Sequence, residues 1–468
     1  MTLPTDALAV PEAPISHDLS APLVATEDLI TGQVIFFESA LVASTGGAIV
    51  EGEHEDECHD EECQGCLEIA DLDVDEQGHV SPIVLGEYDA LMEYCNSTDP
   101  LVAVDIRKHL FKCFHMYELD PSSLDQLLSL DSLFGTEMYL DAAVGLRDVH
   151  PAVIPSGLSD DDVAHLIGVI HKCSIPLDEI DGTGLFLYVS QLQHSCIPNA
   201  CFTDSEDALW VTAIRPIAAG EVVTVDFFNL HYQPTSDRRE TLRGAHYTCT
   251  CVLCQDVVPD KTRAFKCTSC HGGIVHPTGD TKFACVTCHA TWGNDLIDAA
   301  VADEVRLLNE LEVFSGAELE GVMAASSLHR FHHIFYATYS NLMQEHIDET
   351  MTPEEALVAY EGLLTSLNYV VEYPHAQKIQ FLNIMAQTCI GLGNISQATS
   401  LYERAYALSC QVFGATCGET QLFLQLVEET PTSVEAMAAI YGFDEDDDEY
   451  DDDDDMTEDE EVPEGDDD

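Results

Sequence analysis

Three thiols in the run Cys249-x-Cys251-x-x-Cys254 are too few for a tetrahedral zinc site, which takes four ligands. A fourth must come from elsewhere in the chain. Cys196, in the stretch Gln193-His194-Ser195-Cys196-Ile197-Pro198-Asn199, is the candidate. One ion shared this way would pin a mid-chain turn to a downstream loop and organise whatever lies between them. The neighbours His194 and Ser195 do not form a hydrolase pair, because adjacent residues of an extended strand point to opposite faces. The chain holds no Gly-x4-Gly-Lys phosphate loop.

Two further constellations have metal-ligand spacing. Cys267-x-x-Cys270 and Cys285-x-x-Cys288 are two knuckles separated by fourteen residues, with Gly272-Gly273 and Pro277 suiting a tight ribbon between them. Four cysteines close such a site, so its expected role is structural, and His271, His276 and His289 are left over as surface or packing residues. The third set is Cys58, Cys63, Cys66, Cys95, His109 and Cys113, with His54 and His59 as possible extras. Its opening spacing is irregular, and a loop without metal is the competing reading.

The elements that must position these groups follow from periodicity. Residues 22–45 read as short strands with a turn at Thr31-Gly32, and residues 120–172 as helices with Leu124, Leu127, Leu128 and Val163, Leu166, Ile167, Ile170 at helical spacing. Strands return over 183–228. Residues 296–442 are helical throughout, and the run Gly391-Leu392-Gly393-Asn394, Ala398, Tyr402, Ala405, Leu408 is similar to one tetratricopeptide unit. Residues 1–20 and the acidic stretch 443–468 are expected to be disordered.

The balance of 17 basic against 86 acidic residues gives a net charge of −69. The stretch 443–468 holds 19 of the acids, so the rest of the chain is acidic as well. Such a charge repels nucleic-acid phosphates and suits basic partners such as histone tails or other Lys-rich segments. The 18 cysteines, mostly in close pairs, fit reduced and metal-bound thiols of a nuclear or cytoplasmic protein better than a disulfide framework. No apolar run suggests a signal peptide or a membrane span. A monomer is expected.

The His-Ser-Cys-x-Pro-Asn segment with its Cys-x-Cys-x-x-Cys tail resembles a SET domain with a post-SET zinc clip. Tyr94-Cys95 and His109-Leu110-Phe111-Lys112-Cys113 resemble the close of a MYND finger. Together they resemble the SET and MYND domain family of protein-lysine methyltransferases. Gly182-Thr183-Gly184-Leu185, the run Arg215 to Val225, and Asp237-Arg238-Arg239-x-x-Leu242-Arg243 fit the same frame.

That resemblance implies methyl transfer from S-adenosylmethionine to lysine of a histone or other basic protein, with zinc as structural metal. It implies donor contacts from Gln193, His194 and Ser174, and a lysine channel at Phe227, Tyr232 and Tyr247. The chain departs from the family at these reacting positions. Gln193 stands for the family's Asn, Ser20-Ala21-Pro22-Leu23 for its Gly-x-Gly, and Phe227 and Ala245 for its two channel tyrosines. A catalytically weakened SET scaffold that binds basic peptides is therefore the alternative function, and an adaptor of zinc ribbon and helical repeats lies outside the family.

The expected fold class is α+β. A β-rich SET fold (21–50 and 173–248) is interrupted by an acidic Cys/His insert (51–118) and a helical insert (119–172). A zinc-bound post-SET segment and ribbon (249–295) and an all-helical, tetratricopeptide-like domain (296–442) follow.

Overall fold

The computed structural model describes residues 4, 8–45, 104–151, 153–347 and 351–442. The Cys58, Cys63, Cys66 and Cys95 of the third constellation, and the acidic stretch after 442, lie outside the described residues. The strands are β1 (Val34–Ser39), β2 (Ala43–Thr45), β3 (Ser174–Leu177), β4 (Gly182–Leu185), β5 (Gln193–His194), β6 (Ala200–Ser205), β7 (Ala208–Ala213) and β8 (Thr224–Val225). They make three small sheets, ordered β1-β7-β6, β2-β4-β3 and β5-β8. All pairings are antiparallel except β5 with β8.

Strand β7 is buried on both faces, which its apolar run Ala-Leu-Trp-Val-Thr-Ala permits. Leu209, Val211 and Ala213 face the β core, while Trp210 joins the core of the helical lobe. Residues 8–20 are ordered, against expectation. Val10, Ala13 and Ile15 are buried in the same β core, and Ile15 bridges Ala25. Their proline-rich composition hides three apolar anchors, and burying these offsets the entropy of ordering the segment.

Between β2 and β3 the described chain is helical: α1 (Val104–Leu119), α2 (Asp125–Leu128), α3 (Leu140–Val149) and α4 (Asp160–Cys173). They close over Leu110, Phe114, Leu127, Leu146, Leu166 and Ile170. Ser159 and Asp162 form a capping box that starts α4, and α4 runs directly into β3. The helix α5 (Thr235–Gly244) leads to the cysteine triad. Strands β9 (Phe265–Lys266), β10 (Ile274–Thr278) and β11 (Lys282–Cys285) form a ribbon in the order β11-β10-β9.

The remainder is helical: α6 (Asn294–Glu310), α7 (Gly316–Ala325), α8 (His333–Ile347), α9 (Pro353–Val370), α10 (Ala376–Gly391), α11 (Ile395–Val412), α12 (Gly418–Glu428) and α13 (Val434–Tyr441). From α8 to α12 each helix packs against its neighbour in sequence, as in helical-repeat architectures. None of the described helices is long and apolar enough to cross a membrane.

The helical lobe docks on the β core through the end of α11. The Trp210 indole N–H donates to the Phe413 carbonyl at 3.0 Å, and the Cys201 thiol to the Val412 carbonyl at 3.4 Å. Gly32 sits at the contact with φ +84°, and a Cβ there would stand 2.7 Å from the Cys410 carbonyl oxygen. Both the backbone angle and the backbone contact demand glycine. Gly32→Ala is expected to lower stability by about 1–3 kcal/mol, read from the denaturant midpoint. An unchanged midpoint would show that this contact does not hold the lobes together.

Candidate functional site

The His-Ser-Cys-x-Pro-Asn segment crosses β8 through backbone and side-chain ties. Asn199 donates from Nδ2 to the Val222 carbonyl at 2.8 Å and accepts the Thr224 N–H at 2.7 Å. The Ser195 hydroxyl closes a local turn, donating to the Ile197 carbonyl and accepting the Ile197 N–H. Upstream, the buried Glu38 carboxylate accepts N–H groups from Leu187, Tyr188 and Val189, fixing the turn that feeds β5. Burial raises the Glu38 pKa, and those N–H bonds oppose the rise.

At the end of this crossing, Cys196 meets the downstream triad. The sulfurs of Cys196, Cys249, Cys251 and Cys254 all lie within 4.8 Å of one another, with Cys196 and Cys254 at 3.5 Å. The Cys251 and Cys254 N–H groups point at the sulfurs of Cys249 and Cys251. Four thiols this close cannot all ionise unless a cation sits among them, and N–H···S contacts of this kind orient thiolates on zinc. Arg239 braces the loop from outside, donating from Nε to the Cys254 carbonyl at 2.9 Å and pairing with Asp256 at 2.7 Å.

The ribbon holds the second set. The sulfurs of Cys267, Cys270, Cys285 and Cys288 also converge within 4.8 Å, and three backbone N–H groups donate to them. At Gly273 a Cβ would fall 2.5 Å from the Cys285 sulfur and 2.6 Å from that of Cys270. A side chain at 273 would therefore crowd two of the four sulfurs. Both cysteine sets can bind zinc.

A third convergence, Glu304 with His332 and His333, has a different character. Arg263 is bidentate on the Glu304 carboxylate at 2.8 and 2.5 Å, and His332 lies 3.1 Å from it. The guanidinium already balances the carboxylate, which leaves no charge to attract a cation. This is a buried brace linking the ribbon to α6 and α8.

The other predicted site residues divide. The His194 ring is buried, with Nε2 3.5 Å from the Cys196 sulfur and Nδ1 3.5 Å from Asp226 Oδ1. Tyr247 stands edge-on to His194 at 5.5 Å between ring centroids, and its hydroxyl donates to the His194 carbonyl at 3.4 Å. Phe228 completes the aromatic wall at 5.1 Å from the His194 ring. Gln193 is half-buried on β5, opposite Thr224. In the β5–β8 ladder the N–H groups of Gln193 and Ser195 point toward β8. The N–H and C=O of His194 therefore lie on the strand's other edge, which pairs with no strand among the described residues.

Four expectations are corrected by the packing. Tyr232 is no channel residue: its ring stacks on Tyr336 at 3.7 Å, and its hydroxyl donates to the Phe331 carbonyl at 3.0 Å. Phe227 packs against Phe202 at the margin of the β core. The Ser174 hydroxyl is committed to His109 Nδ1 at 3.1 Å rather than offered to a donor. His109 and Cys113 do not close a finger but lie one turn apart on the buried face of α1. The other His109 ring nitrogen meets Ser44 Oγ at 3.0 Å and the Thr183 carbonyl at 3.2 Å. Burial pushes the Cys113 thiol up to about 12, where it is inert.

Sequence reasoning missed Asp226. Its carboxylate is buried at the end of β8 and accepts the Phe228 and Leu230 N–H groups at 3.1 and 3.0 Å. Burial raises its pKa, while His194, the Phe228 N–H and His231 pull it back. The signal was present, since an acid closing the apolar run Val222 to Val225 has to find buried partners.

The β core is made of small sheets, and the segment that crosses β8 ends at a cysteine cluster. Residues 22–228 match the family model of the SET domain. The chain is 30% identical over 96 residues to the histone-lysine N-methyltransferase set5 of Schizosaccharomyces pombe, covering 20% of this chain and 30% of that protein. It is 35% identical over 83 residues to the human N-lysine methyltransferase SMYD2, covering 18% and 19%. It is 35% identical over 79 residues to the protein-lysine N-trimethyltransferase SMYD5 of Gallus gallus, covering 16% and 19%. The matched stretch spans less than a third of the length of each of these relatives.

Proposed function

We propose that the protein is a protein-lysine N-methyltransferase of the SET class that takes its methyl group from S-adenosylmethionine. One observation carries the reading: the cysteine cluster holds the free edge of β5 against the aromatic wall of Phe228 and Tyr247. That edge offers the His194 N–H, its carbonyl being taken by the Tyr247 hydroxyl, and His246 beside Tyr247 stands 4.6 Å from the Phe134 ring. Hydrogen-bonding groups beside aromatic faces suit a nucleoside bearing an amino acid. When bound, the donor supplies an electrophilic methyl group. The chain's own part is to orient donor and amine and to exclude water.

Histone or other Lys-rich protein is the proposed substrate class, in keeping with the net charge of −69. A second reading, a SET scaffold that binds basic peptides without turnover, draws on the diversion of Tyr232 and Phe227 into packing. Calorimetry with S-adenosylmethionine, followed by methyl transfer to a histone mixture, separates the two. Micromolar donor binding with transfer is expected, about −8 kcal/mol. Binding without transfer selects the scaffold, and absence of binding overturns both donor contacts and activity.

A further inference from the structure

The chain leaves α5 through a Schellman turn at Ala245-His246-Tyr247. The Tyr247 N–H donates to the Leu242 carbonyl at 2.7 Å, and the His246 N–H to the Arg243 carbonyl at 3.0 Å. That turn holds His246 at φ +55°, the left-handed position that helix ends usually give to glycine. The backbone disfavours a histidine there, so what the residue contributes is its ring. The ring is exposed, and it stands edge-on to Phe134 at 4.6 Å between centroids with the planes at 77°. Aromatic pairs favour such T-shaped contacts.

Phe134 lies on a firmly seated piece of the helical insert, between α2 and α3. The Leu133 N–H donates to the Gly168 carbonyl at 3.1 Å, and a Cβ on Gly168 would fall 1.8 Å from the Ser132 hydroxyl oxygen and 2.8 Å from the Tyr139 ring. The segment therefore rests directly on α4. His171, also on α4, stands 5.8 Å from the Phe134 ring, and its Nδ1 meets the Tyr139 hydroxyl at 3.0 Å. Phe134 is half-buried on this seat. The residue after His246 reaches the other side. The Tyr247 ring lies 5.5 Å from His194 and 6.3 Å from Phe228, and its hydroxyl donates to the His194 carbonyl. Two consecutive side chains thus bridge the insert and β5. The cysteine cluster ties this loop to the end of β5, and the His246–Phe134 pair ties it to the insert.

We propose that Phe134 and His246 are positioning residues that act through Tyr247. Their contact draws the loop toward the insert and closes the Tyr247 ring over the free edge of β5, and its release opens that edge for the methyl donor to enter and leave. The inference rests on the methyltransferase reading for its ligand, while the contact itself stands apart from it. An exposed aromatic pair is weak enough to open in this way, since its loss shifts a closing equilibrium about threefold to tenfold.

The test uses the full-length, zinc-loaded protein. Without donor, hydrogen exchange of the backbone amides over 245–249 reports the contact. Phe134→Ala is expected to speed that exchange about fivefold with zinc content unchanged, and Phe134→Tyr to restore the wild-type rate. His246→Gly relieves the left-handed backbone but removes the ring, so the two roles predict opposite signs. Exchange rises about fivefold if the ring holds the loop, and falls if the residue serves only the helix end. This variant decides the matter if Phe134→Ala unseats the insert, and the double variant should exchange no faster than His246→Gly alone. Stopped-flow measurement with S-adenosylmethionine then reads the donor, whose dissociation should quicken severalfold in both single variants. Exchange at or below the wild-type rate in either variant overturns the contact. Faster exchange with unchanged donor dissociation overturns its role at the β5 edge. A wild type that binds no donor sinks the methyltransferase reading and the donor role with it, while the exchange rates still decide the contact.

Discussion

Cys196→Ser is expected to bind one zinc equivalent fewer than wild type and to release the loop carrying Cys249, Cys251 and Cys254. A serine hydroxyl is a poor ligand for zinc beside three thiolates, and a structural zinc site of this kind contributes roughly 10–16 kcal/mol in peptides at neutral pH. Little else holds the loop. Its local core consists of Cys196, Leu230, Leu242 and Cys254, with Phe228, Tyr247 and Leu253 packed around them, so half of the buried residues are themselves ligands. The Arg239 contacts to Cys254 and Asp256 are partly exposed and worth about 1 kcal/mol together. Rapid proteolysis around 245–257 should follow, with the ribbon site and the helical lobe intact, because their core is separate. Unchanged metal content by elemental analysis would refute the clasp.

The second large effect is loss of stability in mild acid. His109 and His332 are fully buried, and burial holds each near a pKa of about 4 against the ordinary 6.5. The folded-state values are depressed, so the unfolded chain takes up these protons first as pH falls. Between about 6.5 and 4 each histidine therefore removes up to ~1.4 kcal/mol per pH unit. Glu304 adds to the same trend below its ordinary 4.5. Burial would raise its pKa, but hydrogen bonds from His332, His333 and Arg263 hold the folded carboxylate far below that range. Its contribution is present above 4.5 and fades as pH drops. Moving from pH ~7.5 to ~5 should cost several kcal/mol, a large share of the ~5–15 typical of a domain. Urea midpoints at the two pH values check this, and His332→Gln should flatten the dependence. Equal midpoints in wild type would show that the two rings are not buried neutral.

The cysteine sites could be read in the sequence because metal geometry fixes ligand spacing tightly. Both tetrads come together, and ligand count called for a fourth, long-range partner to the triad, for which Cys196 was the candidate. His109-x-x-x-Cys113 misled for a physical reason: a separation of four residues suits a zinc finger and equally suits one face of a helix. Ile106, Leu110 and Phe114 share that face and bury it. Tyr232 and Ser174 were misread because their placement depends on partners far along the chain, Phe331 and His109.

Calorimetric titration of S-adenosylmethionine into wild type and Cys196→Ser bears most directly on the account, since the cysteine cluster is held to create the donor-binding edge of β5. Saturable binding in wild type that disappears in the variant is the predicted result. Equal binding in the two proteins, or none in wild type, would contradict it.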